Sequence, residues 1–168
     1  MNIDKLFNNS KLLKQQYHFY IKKKQLLKIE KDNDLIDSHL EKAKHNMLFF
    51  SKNKNDSKFN DWLIVTLYYA LYHSVLALII NKNYVSKNHT ASLIFLIKHY
   101  SYLKNEIKLL HDLSIKKEDA ELYTNLKEDR HTTSYQTNIY FSKEKINEYK
   151  IKVLDFINKT EEIIDNSE

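Results

Sequence analysis

Apolar residues recur at intervals of three and four along most of the chain, the period of an amphipathic α-helix. The first helix predicted runs from Ser10 to about Lys31, with Leu13, Tyr17, Tyr20 and Leu27 on one side. Asp32-Asn33-Asp34 breaks it, and Asp34 caps a second helix to about Ser51 with Leu40, Ala43, Met47 and Phe50 as its stripe. A polar linker, Lys52 to Lys58, precedes a third helix from Phe59 to about Asn81. Tyr84 to Asn88 reads as a loop, and Asn88 or Thr90 caps a fourth helix to about Tyr102. Two more segments follow, Lys104 to Leu113 and Lys116 to about Ser134, the second with Ala120, Tyr123 and Leu126 inward. Tyr135 to Phe141 is a connection. Ser142 caps the last helix, to about Asp165, whose stripe is Ile146, Tyr149, Val153, Phe156, Ile157, Thr160 and Ile163.

The pattern predicts an all-α protein, an antiparallel up-and-down bundle of five to six helices. The third helix is its expected centre, because Trp62 to Ile80 holds no charged residue over 19 positions. That length would also cross a bilayer. His73, Thr66, Ser74 and three tyrosines within the run, and amphipathic neighbours on both sides, favour a buried helix instead. Trp62, Tyr69, Leu76, Val153 and Phe156 are therefore expected among the most buried residues.

Composition narrows the chemistry. The 168 residues contain no glycine, proline or cysteine. Disulfides and cysteine-ligated zinc are excluded, as are the glycine-dependent phosphate loops and the nucleophile elbow. The start of the chain lacks the apolar stretch and small-residue cleavage site of a signal peptide, so a cytoplasmic protein without a membrane partner is expected. Charge is uneven: residues 1–60 hold 13 lysines against 7 acids, and residues 61–168 hold 14 basic residues against 15 acids. A basic amino-terminal third suits either a solvated surface or nucleic acid.

Arg130 is the only arginine beside 26 lysines. Its planar fork binds phosphate or carboxylate in a bidentate way that lysine cannot. It extends the stripe of Tyr123 and Leu126, which places it inward or in a cleft, either on a ligand or on a carboxylate such as Asp61 or Asp129. His73, inside the apolar third helix, is either a hydrogen-bonded core histidine or a general base. His89 opens the fourth helix, where the helix dipole favours its neutral form. His131 follows Arg130 directly. Eight histidines show no tight metal-ligand spacing, and no cofactor or metal is expected.

Three segments together carry a family resemblance. They are TLYYALYHSVLALI (Thr66 to Ile79), KNHTASLIFLIKHY (Lys87 to Tyr100) and LKEDRHTTSY (Leu126 to Tyr135). A Y-Y-A-x-[YF]-H helix, a later histidine opening a helix and an R-x-x-x-x-Y element resemble the small stand-alone HEPN proteins. Residues 34–168 would form the HEPN-like bundle and residues 1–33 an amino-terminal helix outside it.

The resemblance implies a homodimer with an R-x(4–6)-H motif near the dimer cleft. Active members cleave RNA without a metal; others bind nucleotide or RNA beside a minimal nucleotidyltransferase, often as toxin and antitoxin. Arg130 matches that motif, but Tyr135 stands where the histidine is expected. On this reading Arg130 stabilises charge on a phosphate, His131 or His73 acts as base, and Tyr135 positions phosphate or donates a proton. Five residues on a straight helix rotate by ~140°, so Arg130 and Tyr135 converge only if the helix ends between them or a partner subunit supplies one.

Overall fold

The computed structural model describes residues 1–56, 59–128 and 141–167, with the backbone alone over 119–128. In chain order its elements are α1 (Ile3–Phe7), α2 (Ser10–Lys22), β1 (Leu26–Lys28), α3 (Asn33–Asn53) and α4 (Asn60–Asn81), then β2 (Tyr84–Ser86) and α5 (His89–His99). A 3-10 turn, Ser101–Leu103, leads into α6 (Lys104–Glu128), and α7 (Lys143–Asp165) closes the bundle.

The charge-free run lies at the centre. α4 packs against α3, α5, α6 and α7, and 78% of its most apolar window is buried inside the protein although its length and composition would suit a membrane span. Leu63, Ile64, Leu67, Leu71, Val75 and Leu78 are almost wholly buried. Its buried serine and threonine hydroxyls are satisfied within the helix: Thr66 Oγ1 donates to the Trp62 carbonyl at 2.8 Å and Ser74 Oγ to the Ala70 carbonyl at 3.2 Å. Tyr100, buried where α5 ends, donates its hydroxyl to the Leu78 carbonyl at 2.9 Å.

Val153 and Phe156 are buried as expected. Trp62 and Tyr69 are not: they are 49% and 38% exposed, and Leu76 is half-buried. A helix apolar on all sides carries no preferred face, so its rotation is set by the packing of its neighbours. Here that packing leaves the side bearing Trp62 and Tyr69 uncovered.

The first helix ends earlier than its pattern suggests. α2 stops at Lys22, and Lys24 takes a left-handed conformation at φ 54. The Lys24 N–H donates to the Ile21 carbonyl and the Gln25 N–H to the Tyr20 carbonyl, both at 3.0 Å. This is the paired bonding of a Schellman motif, which usually has glycine at the left-handed position. Asn83, at φ 61, ends α4 in the same conformation. The two reversals launch β1 and β2, which pair antiparallel with Leu26 opposite Ser86 and Lys28 opposite Tyr84. So Leu26–Lys28 and Tyr84–Ser86, expected as helix and loop, form a two-stranded ribbon. Its partners are separated in sequence by α3 and α4, and no local pattern announces them.

Other boundaries moved for local reasons. Asp32 rather than Asp34 caps α3, its carboxylate accepting from the Leu35 N–H at 2.9 Å. Asn88 and Ser142 cap α5 and α7 as expected. The two segments after Lys104 are one helix, within which Ser114 bonds back to the His111 carbonyl at 2.7 Å and no glycine or proline forces a break. The inward positions expected for Ala120, Tyr123 and Leu126 lie outside the described side chains.

Lys24 in the left-handed region carries a cost that glycine would relieve. Lys24→Gly should raise the unfolding free energy by about 0.5–1 kcal/mol, whereas Lys14→Gly, on the exposed face of α2, should lower it by a similar amount. Urea denaturation of the two variants checks the pair.

Candidate functional site

Two of the three segments behind the family resemblance meet in space. Tyr68 and Tyr72, four residues apart, project from one face of α4 towards the start of α5. The Tyr68 hydroxyl lies 3.1 Å from His89 Nδ1. The Tyr72 hydroxyl lies 3.3 Å from Ser92 Oγ, which donates to Ser86 Oγ at 2.9 Å. The two tyrosine rings stack with centroids 5.6 Å apart and planes 11° from parallel. From α6, the Lys117 ammonium sits 5.4 Å from the Tyr68 ring centre and 5.5 Å from that of Tyr69, within cation–π range.

The cluster is polar but electrically neutral except at its rim. His89 occupies the first position of α5, yet it is half-buried rather than a surface cap. Burial, reinforced by His111 and Lys117, lowers its pKa to about 4. Burial raises the Tyr72 phenol above its ordinary value. With Nδ1 engaged by Tyr68, His89 Nε2 is enclosed and has no hydrogen-bond partner among the described residues. Such a group disfavours the imidazolium. The cluster is therefore a hydrogen-bonded one whose His89 is not poised for proton transfer near neutrality.

His73 faces another side of α4. Its Nδ1 lies 2.9 Å from Nδ1 of His39 on α3, the two rings 5.2 Å apart and half-buried. One nitrogen must donate and the other accept, so the pair cannot be doubly protonated and keep the bond. Burial, then the proximity of His39 and Lys42, lowers the His73 pKa to about 4; burial lowers His39 as well. His73 is thus a hydrogen-bonded interhelical histidine, separated from the Tyr68–His89 cluster.

Arg130, His131 and Tyr135 lie outside the described residues. α6 is described as far as Glu128, two residues before Arg130. The chain is described again at Phe141, whose carbonyl accepts from Asn60 Nδ2 at 2.8 Å. The described residues contain no group of three or more histidine or acidic side chains that could hold a metal ion. The sequence reading passed over Tyr68, Tyr72 and Lys117 as site residues. The i, i+4 tyrosines were a usable signal, whereas the approach of Lys117 and the His39–His73 bond are long-range and leave no trace in spacing.

The lowered histidine pKa values fix a sign for pH dependence. Above the ordinary value of 6.5, both folded and unfolded forms carry neutral His73 and His89. Between 6.5 and about 4 only the unfolded chain takes up these protons, so stability falls with pH across that window. His73→Gln and His89→Gln should each flatten the loss, as read from urea midpoints at pH 7.5, 6.0 and 4.5. An unchanged slope in both variants would remove these histidines from the account.

A family model for the HEPN domain matches residues 36–168. No curated protein and no solved structure matches the chain. The match covers α3's core-facing positions through α7, including the Tyr68–His89 cluster and the R-x-x-x-x-Y element. By that match, and by the helical bundle built around α4, the chain belongs to the HEPN domain family.

Proposed function

We propose that this HEPN protein binds RNA or a nucleotide, with Arg130 as its phosphate ligand, as a cytoplasmic member of a toxin–antitoxin pair beside a minimal nucleotidyltransferase. The observation that carries this reading is the state of the histidines. His73 and His89 are both held well below neutrality and engaged by His39 and Tyr68, and Tyr135 replaces the histidine expected after Arg130. Arg130 remains for phosphate, while neither His73 nor His89 is a base matched to neutral pH.

A second reading is a metal-independent endoribonuclease of toxin type. His131, next to Arg130 in a chain otherwise committed to lysine, favours it. The RNA 2′-hydroxyl would attack its own phosphate, His131 accepting the proton, Arg130 stabilising the phosphoryl oxygens and Tyr135 protonating the leaving 5′-oxygen. His73 is the poorer base, since its Nδ1 is already bonded.

RNA mixed with the purified protein in EDTA distinguishes the two. Salt-dependent binding without cleavage is the expected result; cleavage products would favour the second reading. In either case Arg130→Lys should keep the melting temperature within a few degrees and abolish binding or activity, because it retains charge and loses the fork. Equal binding by Arg130→Lys would remove Arg130 from the site.

The reading includes a homodimer, for which the uncovered side of α4 is the natural surface. Trp62 and Tyr69, seven residues apart, lie on one side of a charge-free helix face. Light scattering at tens of micromolar should give a dimer, and Trp62→Glu a folded monomer. Trp62 is the chain's single tryptophan, so its emission should shift to the red as the dimer is diluted. A wild-type monomer at that concentration would count against the interface.

A further inference from the structure

Two grooves among the described residues differ in their electrostatics. The larger, ≈ 490 Å³, lies between α6 and α7 and is lined by four lysines together with acids. Each lysine there is spoken for: Lys108 by Asp4, Lys145 and Lys152 by Glu148, Lys159 by Glu106. Such a surface has little attraction left for an anion.

The smaller pocket, ≈ 220 Å³, lies where the end of α3, the start of α4 and the start of α7 converge. Its charged lining residues are Lys54 and Lys143, and no carboxylate lines it among the described residues; the acids next to its lining residues in the chain, Asp56, Asp61, Glu144 and Glu148, are not among its walls. Neither lysine forms an ion pair among the described residues. Three asparagines, Asn55, Asn60 and Asn147, supply amide groups, over a floor that includes Phe50 and Leu63.

Two further features mark the pocket as built. Asn60 is the first residue of α4, so the positive end of a 22-residue helix opens on the pocket, and that end has no side-chain cap. Asn60 is also 8% exposed and fixed in orientation. Its Nδ2 donates to the Phe141 carbonyl at 2.8 Å, which rules out the flipped amide, and leaves Oδ1 enclosed with no partner among the described residues. A buried acceptor without a donor is costly. A ligand that brings a hydroxyl beside its negative charge, and lets the pocket wall adjust around it, would relieve that cost.

We propose that this pocket is a second phosphate-binding site, taking the phosphate ester of a nucleotide or of an RNA strand between Lys54 and Lys143. Asn55 and Asn147 donate to the remaining phosphoryl oxygens, and a sugar hydroxyl next to the phosphate is the donor for Asn60. The volume is that of about seven water molecules at ~30 Å³ each. It therefore admits a phosphate and part of its sugar, while a base remains outside. The site rests on the nucleotide- or RNA-binding reading for its ligand, but not on Arg130 for its chemistry.

The test uses the whole chain in chloride buffer, titrated separately with inorganic phosphate, uridine 3′-monophosphate and a single-stranded RNA. In NMR spectra, phosphate and the monophosphate should move the side-chain amides of Asn55, Asn60 and Asn147 and the backbone amides of the first turn of α4. The double variant Lys54→Gln, Lys143→Gln should weaken the monophosphate at least about tenfold. If RNA uses the pocket, the same variant should reduce its logarithmic salt slope by about 1.4, two contacts at ~0.7 each. Lys11→Gln, Lys14→Gln removes the same charge from exposed α2 and should leave both unchanged. Equal losses in the two double variants, or amide shifts that avoid α4's first turn, overturn the pocket. RNA binding that ignores the Lys54, Lys143 variant, with no phosphate response, overturns the pocket and spares the RNA reading. Phosphate and monophosphate binding in the pocket with no RNA binding by the wild type upholds the pocket and sinks RNA as the ligand.

Discussion

Burial of α4 is the constraint on which the rest of the molecule depends. A helix without a charged residue from Trp62 to Ile80 is insoluble alone, and α3, α5, α6 and α7 are arranged to cover it. Covering it removes water from its polar atoms, so those atoms must find partners within the protein. Thr66 and Ser74 bond back along the helix, and the Leu78 carbonyl takes the Tyr100 hydroxyl. The same dehydration reaches His73 and His89 and keeps both neutral. Core packing and site electrostatics are thus consequences of one requirement.

The amino-terminal segment extends that arrangement beyond the family match. α2 packs on α5, and β1 pairs with β2, which follows directly from the end of α4. Tyr17 reaches the same surface, with its ring 5.6 Å from His99 and 6.3 Å from Phe95. Residues before the matched region, 36–168, are therefore joined to the HEPN bundle by backbone hydrogen bonds and by aromatic packing. The left-handed Lys24 and Asn83 make that joint possible in a chain with no glycine, at a small conformational cost.

Polar groups gather where the cover of α4 is interrupted. On one side Tyr68, Tyr72 and His89 form a neutral hydrogen-bonded cluster. On another, His39 and His73 share a single hydrogen bond. At the amino-terminal end, Lys54 and Lys143 face a pocket free of acid.

Much of the fold was legible from the amino-acid order, because helices and their caps are local. The stripes of α3 and α7, the caps at Asn88 and Ser142, and the choice of α4 as the centre all depend on residues a few positions apart. The family could be read in the same way, from short segments in a fixed order. What the sequence did not determine was rotation and remote pairing. An all-apolar helix has no moment to say which side is covered, so the exposure of Trp62 and Tyr69 was settled only when its neighbours packed. Likewise β1 with β2, His39 with His73, and Lys117 with Tyr68 join residues from different elements. Their contacts arise from the geometry of the bundle, and spacing along one helix carries no record of what another helix brings to it.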